Sequence, residues 1–170
     1  MSIRELNSFK ALPMALLLFA TISISFSACG HFVESNADLS LLRLDGVAVG
    51  DSISVIDASK YTVSNRFPDS ENTVNYEEWR ITTDTDGLIE RIQASVYDEI
   101  TLTIGKDYCS ASKDVIDKLG GQYESSIYDK EQQLEAIIYR DGVNHLQATF
   151  VFSAADDCLV FVIFESTKQN

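Results

Sequence analysis

Apolar residues follow two regimes along this 170-residue chain. Near the start, Ala11 to Ala20 (ALPMALLLFA) is one apolar stretch that runs on through Thr21-Ile22-Ser23-Ile24-Ser25. Beyond about Ser40, apolar positions come in short runs separated by turn residues. Glu77 to Thr83 and Leu88 to Val96 flank Asp86-Gly87, and Leu134 to Tyr139 and Val143 to Phe152 flank Asp141-Gly142. Aspartate followed by glycine between two such runs predicts a hairpin, because both residues tolerate left-handed backbone. Ala155-Asp156-Asp157 then turns the chain into a last run, Cys158 to Glu165 (CLVFVIFE). That run is apolar on both faces, which predicts a central or doubly covered strand, since an exposed edge of this kind invites aggregation.

The spacing of Val115, Ile116 and Leu119 predicts a helix over Ser112 to Leu119, with Ser112 as its cap and Gly120-Gly121 as its stop. A second short helix is expected near Ser52 to Ser59, where β-branched residues dilute the signal. Each helix follows an extended run into a glycine (Val49-Gly50, Ile104-Gly105) and precedes a hairpin. Gly50 and Gly87 are spaced like Gly105 and Gly142. The pattern predicts an α+β fold: an antiparallel sheet with short helices on one face, read as a tandem repeat of a helix-plus-hairpin unit over residues 44–97 and 100–166.

The N-terminal stretch acquires a meaning from its flanks. Arg4 and Lys10 precede it and small residues follow, the layout of an exported chain's signal peptide. Pro13 and the serines interrupt it, so it falls short of the roughly 20 predominantly apolar residues of a spanning helix. Phe26-Ser27-Ala28-Cys29-Gly30 resembles the lipobox of bacterial lipoproteins, although phenylalanine stands where leucine is usual. The resemblance implies diacylglycerol on the Cys29 thiol and cleavage before it, placing the chain outside the cytoplasm. The site is the outer membrane of a Gram-negative cell or the surface of a Gram-positive one. Residues 1–28 then read as signal peptide, 29–43 as a lipid-anchored tether containing His31, and 44–170 as a single domain.

Cleavage would remove Arg4, Lys10 and Glu5 and leave 11 basic and 25 acidic residues, a net charge near −14 against −13 for the whole chain. Such a chain is repelled by phosphates, which excludes nucleic acid as a natural partner and leaves lipid on Cys29 as the membrane contact. The remaining cysteines, Cys109 and Cys158, are candidates for a disulfide in an oxidising compartment, the alternative being structural thiols.

Catalytic chemistry finds no constellation. Asp84-Thr85-Asp86-Gly87 echoes a calcium loop, but Thr82 and Gln93 stand where the first carboxylate and the bidentate glutamate belong. The two histidines, His31 and His145, lack companions for a metal site, and His145 has no nucleophile elbow. Glu77-Glu78 and Asp156-Asp157 are adjacent pairs whose side chains diverge on a strand. No cofactor is expected. Tyr76, Trp79, Arg80 and Tyr139 are the candidate binding residues, of types enriched at interface hot spots. The competing reading puts Trp79 and Ile81 together in the core.

The lipobox, the glycine-led helix Ile104-Gly105 to Gly120 and the antiparallel meander together resemble the SmpA/OmlA family of small outer-membrane assembly lipoproteins, and the secreted β-lactamase inhibitory proteins with their tandem-repeat fold. The resemblance spans Leu44 to Glu165 at the level of pattern. It implies a non-enzymatic domain that grips another envelope or secreted protein, as an assembly accessory, an inhibitor or an immunity factor. The alternative is a lipoprotein that binds a small ligand or a cell-wall fragment, which would need an enclosed pocket lined by tyrosines.

Overall fold

The computed structural model describes residues 37–64, 66, 70–96 and 100–168. The signal-peptide and lipobox readings, with Cys29 and His31, lie outside them. Among the described residues there are ten strands and one α-helix: β1 Leu42–Leu44, β2 Thr73–Asn75, β3 Trp79–Thr83, β4 Ile89–Ser95, β5 Leu102–Ile104, β6 Asp107–Tyr108, α1 Ser112–Leu119, β7 Glu124–Asp129, β8 Leu134–Asp141, β9 Leu146–Ser153 and β10 Leu159–Ser166. They form a large sheet in the order β2-β3-β4-β10-β9-β8-β7 and a small sheet in the order β1-β5-β6. All pairings are antiparallel.

This corrects the α+β expectation. The fold is two antiparallel sheets, sandwich-like, and does not place several helices on one face of a sheet. The expected helix at Ser52 to Ser59 is instead two one-turn 3-10 segments, Ile53–Val55 and Ala58–Lys60. The reason is local: the Ser52 hydroxyl accepts from Ser54 N–H and the Asp57 carboxylate from Ser59 N–H, so side chains compete for the donors that a longer helix would use. The helix-plus-hairpin repeat fails with it. Only the second segment has an α-helix, and it contributes four strands to the large sheet where the first contributes three.

Other expectations take shape as read. β10 is the middle strand of the large sheet, between β4 and β9, as its doubly apolar sequence requires. Helix α1 spans the expected residues, buries Val115 and Leu119, and ends at Gly120 (φ 89). Its N-terminus is built differently from expectation. Ser112 lies inside the helix, and its N–H donates to Asp157 Oδ1 at 3.3 Å, while Asp114 Oδ2 accepts from Ser110 and Ala111 N–H. Carboxylates thus satisfy the orphan donors and favour the positive end of the helix dipole.

Both expected Asp-Gly pairs join adjacent antiparallel strands, but with different geometry. In the β3–β4 turn, Asp84 Oδ1 accepts from Asp86 and Leu88 N–H, and Gly87 takes the left-handed position (φ 77). In the β8–β9 turn the left-handed position falls on His145 (φ 55), four residues after Asp141. The tightest turn is a third pair, Asp45-Gly46 (φ 49 and 82), where Leu44 and Val47 exchange both backbone hydrogen bonds at 2.9 Å. Two consecutive left-handed residues make it the type I′ hairpin turn.

One core lies between the large sheet and its cover. The sheet contributes Trp79, Ile81, Ile92, Tyr139, Phe150, Val162 and Phe164; the cover contributes Leu39, Leu42, Leu44, Leu102, Ile104, Val115 and Leu119. The cover starts earlier than the tether reading of 29–43 allows, since Ala37 and Leu39 are already buried. Asp141 fastens it. This carboxylate is buried and accepts from Leu39 N–H at 3.0 Å, Asn144 N–H at 2.9 Å and Asn144 Nδ2 at 2.7 Å. Burial alone would raise its pKa; the hydrogen bonds from Asn144 and Leu39 outweigh that and hold it below the ordinary carboxylate value.

Candidate interaction surface

A strand's side chains alternate between faces, so the residues that pack beneath the cover determine which residues point the other way. On β10, Val162 and Phe164 join the main core, leaving Phe161, Ile163 and Glu165 on the opposite, outer face. The strand register carries that assignment across the sheet. Arg80, Gln93, Ile163, Thr149 and Ile138 form one outer row; Ser95, Phe161, Val151, Ala136 and Ser126 form the next.

Two kinds of surface lie side by side there. The first is a separate apolar cluster from the large sheet itself, in which Leu134, Ala136, Val151 and Phe161 are buried, none more than 8% exposed, and Val160 and Ile163 are half-buried against them. Tyr128 closes over it edge-on to Phe161, with ring centroids 5.0 Å apart. Burial pushes the Tyr128 pKa up, so its hydroxyl stays a neutral donor. The second is a polar ladder across five strands. Arg91 meets Glu165 at 3.4 Å, Gln147 donates to Glu165 at 3.1 Å, Arg140 Nε donates to Gln147 at 2.9 Å, and Arg140 Nη1 donates to Glu124 at 2.6 Å. The ladder holds long side chains in place, and prepaid side-chain ordering lowers the cost of docking.

The residues singled out from sequence separate between the faces. Arg80 is exposed on the outer face, in the row of Ile163. Trp79 is 2% exposed and lies in the main core with Ile81, so the core reading of that pair holds. Its ring packs against Tyr61 at 4.7 Å, and Tyr61 in turn packs against the half-buried Tyr76 at 5.5 Å. Tyr139 is fully buried, and its hydroxyl donates to Gly120 O at 2.6 Å, tying β8 to the end of α1. Burial pushes its pKa up to about 12. Trp79 and Tyr139 are therefore core residues, unavailable to a partner.

Ala111 pairs with Cys158 in a bridge, which brings the two cysteine-bearing segments together. Both thiols are free in the structure: Cys109 is buried in the main core and Cys158 is exposed. Burial, with Asp114 nearby, raises the Cys109 pKa, as for a structural thiol.

Sequence reasoning missed Phe161, Ile163, Glu124, Arg140 and Glu165. A signal existed for two of them, because a strand apolar on both faces must place Phe161 and Ile163 opposite Val162 and Phe164. Among the described residues no group of histidine, cysteine or carboxylate side chains is arranged to hold a metal ion, and no helix is long and apolar enough to cross a membrane. Comparison of the chain with protein-family models, with curated proteins and with solved structures gives no match.

Proposed function

We propose that this chain is a non-enzymatic, lipid-anchored envelope protein that binds another protein through the outer face of its large sheet. The observation that carries the reading is that the exposed Tyr128 and the half-buried Val160 and Ile163 lie on that face over a small buried cluster (Val151 0% and Phe161 8% exposed), beside an ordered ladder of charged and amide side chains. Apolar contact area with a polar rim is the composition of a protein interface. The tyrosines do not gather in one place, as a pocket lined by them would need: Tyr123 packs on the core residue Tyr139 with ring centroids 5.8 Å apart, Tyr61 packs on Tyr76 at 5.5 Å, and Tyr128 packs on the outer face. The anchor rests on the lipobox alone, and it places the partner outside the cytoplasm.

Two experiments test the proposal. Mass spectrometry of the membrane fraction should find a mature N-terminus at diacylated Cys29; a Cys29→Ser chain that keeps its processing and membrane attachment removes the anchor. Photocrosslinking in intact cells from Thr149, in the middle of the outer face, should yield a discrete protein adduct. Failure to form one at native expression would remove the protein-binding reading.

A further inference from the structure

The two edges of the large sheet differ. β2, at one edge, has only three residues, and the bridges Val63↔Tyr76 and Ser70↔Thr73 flank it. β7, at the other edge, has six residues, all exposed except Asp129, and among the described residues nothing pairs with its outer side. Its sequence, ESSIYD, contains neither lysine nor proline; its charges, Glu124 and Asp129, stand at its two ends, and its bulge comes only between Ile127 and Asp129, so the middle of the strand carries none of these devices. Natural sheets usually blunt a long edge with such devices, because a row of unpaired backbone donors and acceptors templates another strand. Ile127 is 71% and Tyr128 46% exposed on this bare edge.

The side chains of β7 specify what kind of strand would fit. The outer-face ladder runs Arg91, Glu165, Gln147, Arg140, Glu124 and stops at the edge on an anion. Its charges alternate, so a strand laid beside β7 completes it with a cation. On the same face Ser126 leads from Glu124 to Tyr128, and on the other face Ser125 leads to Ile127.

We infer that β7 is a strand-addition site for an extended, antiparallel segment of a partner protein, which places a lysine or arginine beside Glu124 and apolar side chains beside Ile127 and Tyr128. Main-chain hydrogen bonds supply affinity and the alternate side chains supply specificity. The chain's net charge of −13 favours a basic segment over a second copy of itself. The inference rests on the protein-binding reading and names the edge at which it operates.

The probe is the synthetic peptide acetyl-Thr-Val-Ile-Thr-Thr-Lys-Thr-amide, titrated into the mature chain while backbone amide shifts of residues 124–129 are followed by NMR. A second peptide carries Glu in place of Lys. The Lys peptide should shift the β7 amides and bind about threefold more tightly than the Glu peptide, the scale of an exposed ion pair. In Glu124→Lys the order should reverse, which a general attraction of cations to an acidic protein does not produce. Ile127→Lys, at an exposed position, should weaken both peptides while the remaining amide shifts stay in place. Equal affinity of both peptides, unreversed preference in Glu124→Lys, or shifts mapping away from β7 would overturn the inference. So would self-association abolished by Ile127→Lys, which would make a second copy the occupant. Crosslinking from Thr149 that still captures a protein after such a result would leave the sheet-face reading standing.

Discussion

The two faces of the large sheet are made by the same strands, yet they are built for different ends. The inner face carries the largest side chains, Trp79, Tyr139, Phe150 and Phe164, all within 2% of complete burial under the small sheet and α1. The outer face carries fewer and smaller apolar groups, gathered toward β8, β9 and β10, and fills the rest of its area with a charged ladder. The outer face buries a smaller cluster, Leu134, Ala136, Val151 and Phe161, and leaves Tyr128 and parts of Val160 and Ile163 to solvent beside the ordered ladder.

Substitutions can test the division in order of expected effect. Phe150→Ala, in the middle of the inner face, should cost about 3–5 kcal/mol in denaturant unfolding, the range for a fully buried aromatic ring. A loss below about 1 kcal/mol would mean that the cover is not packed as described.

Asp141→Ala should cost about 2 kcal/mol or more, since it strands the Leu39 N–H and removes a charged acceptor in a buried site. The same carboxylate makes stability depend on pH. Its folded-state pKa lies below its ordinary value, so its contribution is complete above about pH 4 and is lost as pH falls through the folded value. Asp57, Asp114 and Asp156 shift in the same direction through hydrogen bonds to nearby donors, so acid should weaken the turns and the helix start together. Thermal melts from pH 6 to pH 2 should show a falling Tm, with a shallower fall in Asp141→Ala; parallel curves would deny Asp141 its role.

Phe161→Ala, on the outer face and 8% exposed, should cost about 2–3 kcal/mol, less than its inner-face counterpart because its cluster is smaller and Tyr128, which packs on it, is 46% exposed. It should also weaken partner capture. Glu165→Gln, in the ladder, should change stability by less than about 1 kcal/mol, as for partly exposed ion pairs. Equal costs for Phe150→Ala and Phe161→Ala would erase the distinction between the faces.

Local features of the fold were legible where one local cause dominates. The β10 sequence required a central strand, and Val115, Ile116 and Leu119 with Gly120 marked α1. Asp86-Gly87 and Asp141-Gly142 marked chain reversals, but the dipeptide alone left the geometry open. At the second pair the buried Asp141 carboxylate organises the loop and His145 takes the left-handed position. Asp45-Gly46 carries the same signal, but the strand before it, Leu42–Leu44, is only three residues long and too short a run to mark a hairpin. β7 was illegible for a related reason: with Ile127 and Tyr128 adjacent and serines before them, it has no apolar alternation.

Pairings between distant segments were beyond any periodicity argument. Nothing in a local window announces that β1 joins β5 or that β4 joins β10. The candidate surface depends on the second of those pairings, since it sets Arg91 beside Glu165. Its helical cover was overestimated because serine and aspartate at Ser52 and Asp57 cap single turns as readily as they start helices. The acidic composition has a structural use as well: Asp38, Asp45, Asp84, Asp114, Asp129 and Asp141 all accept backbone N–H bonds at turns or helix ends.

The most direct test of the central claim compares the two sides of the molecule in intact cells. A photoreactive residue is placed in turn at Arg80, Gln93 and Thr149 on the outer face, and at Ser54 and Lys113 on the covering side, with the anchor sequence intact. The account predicts one protein adduct shared by the outer-face positions and absent from the covering-side positions. Adducts formed from Ser54 or Lys113, with none from the outer face, would contradict it.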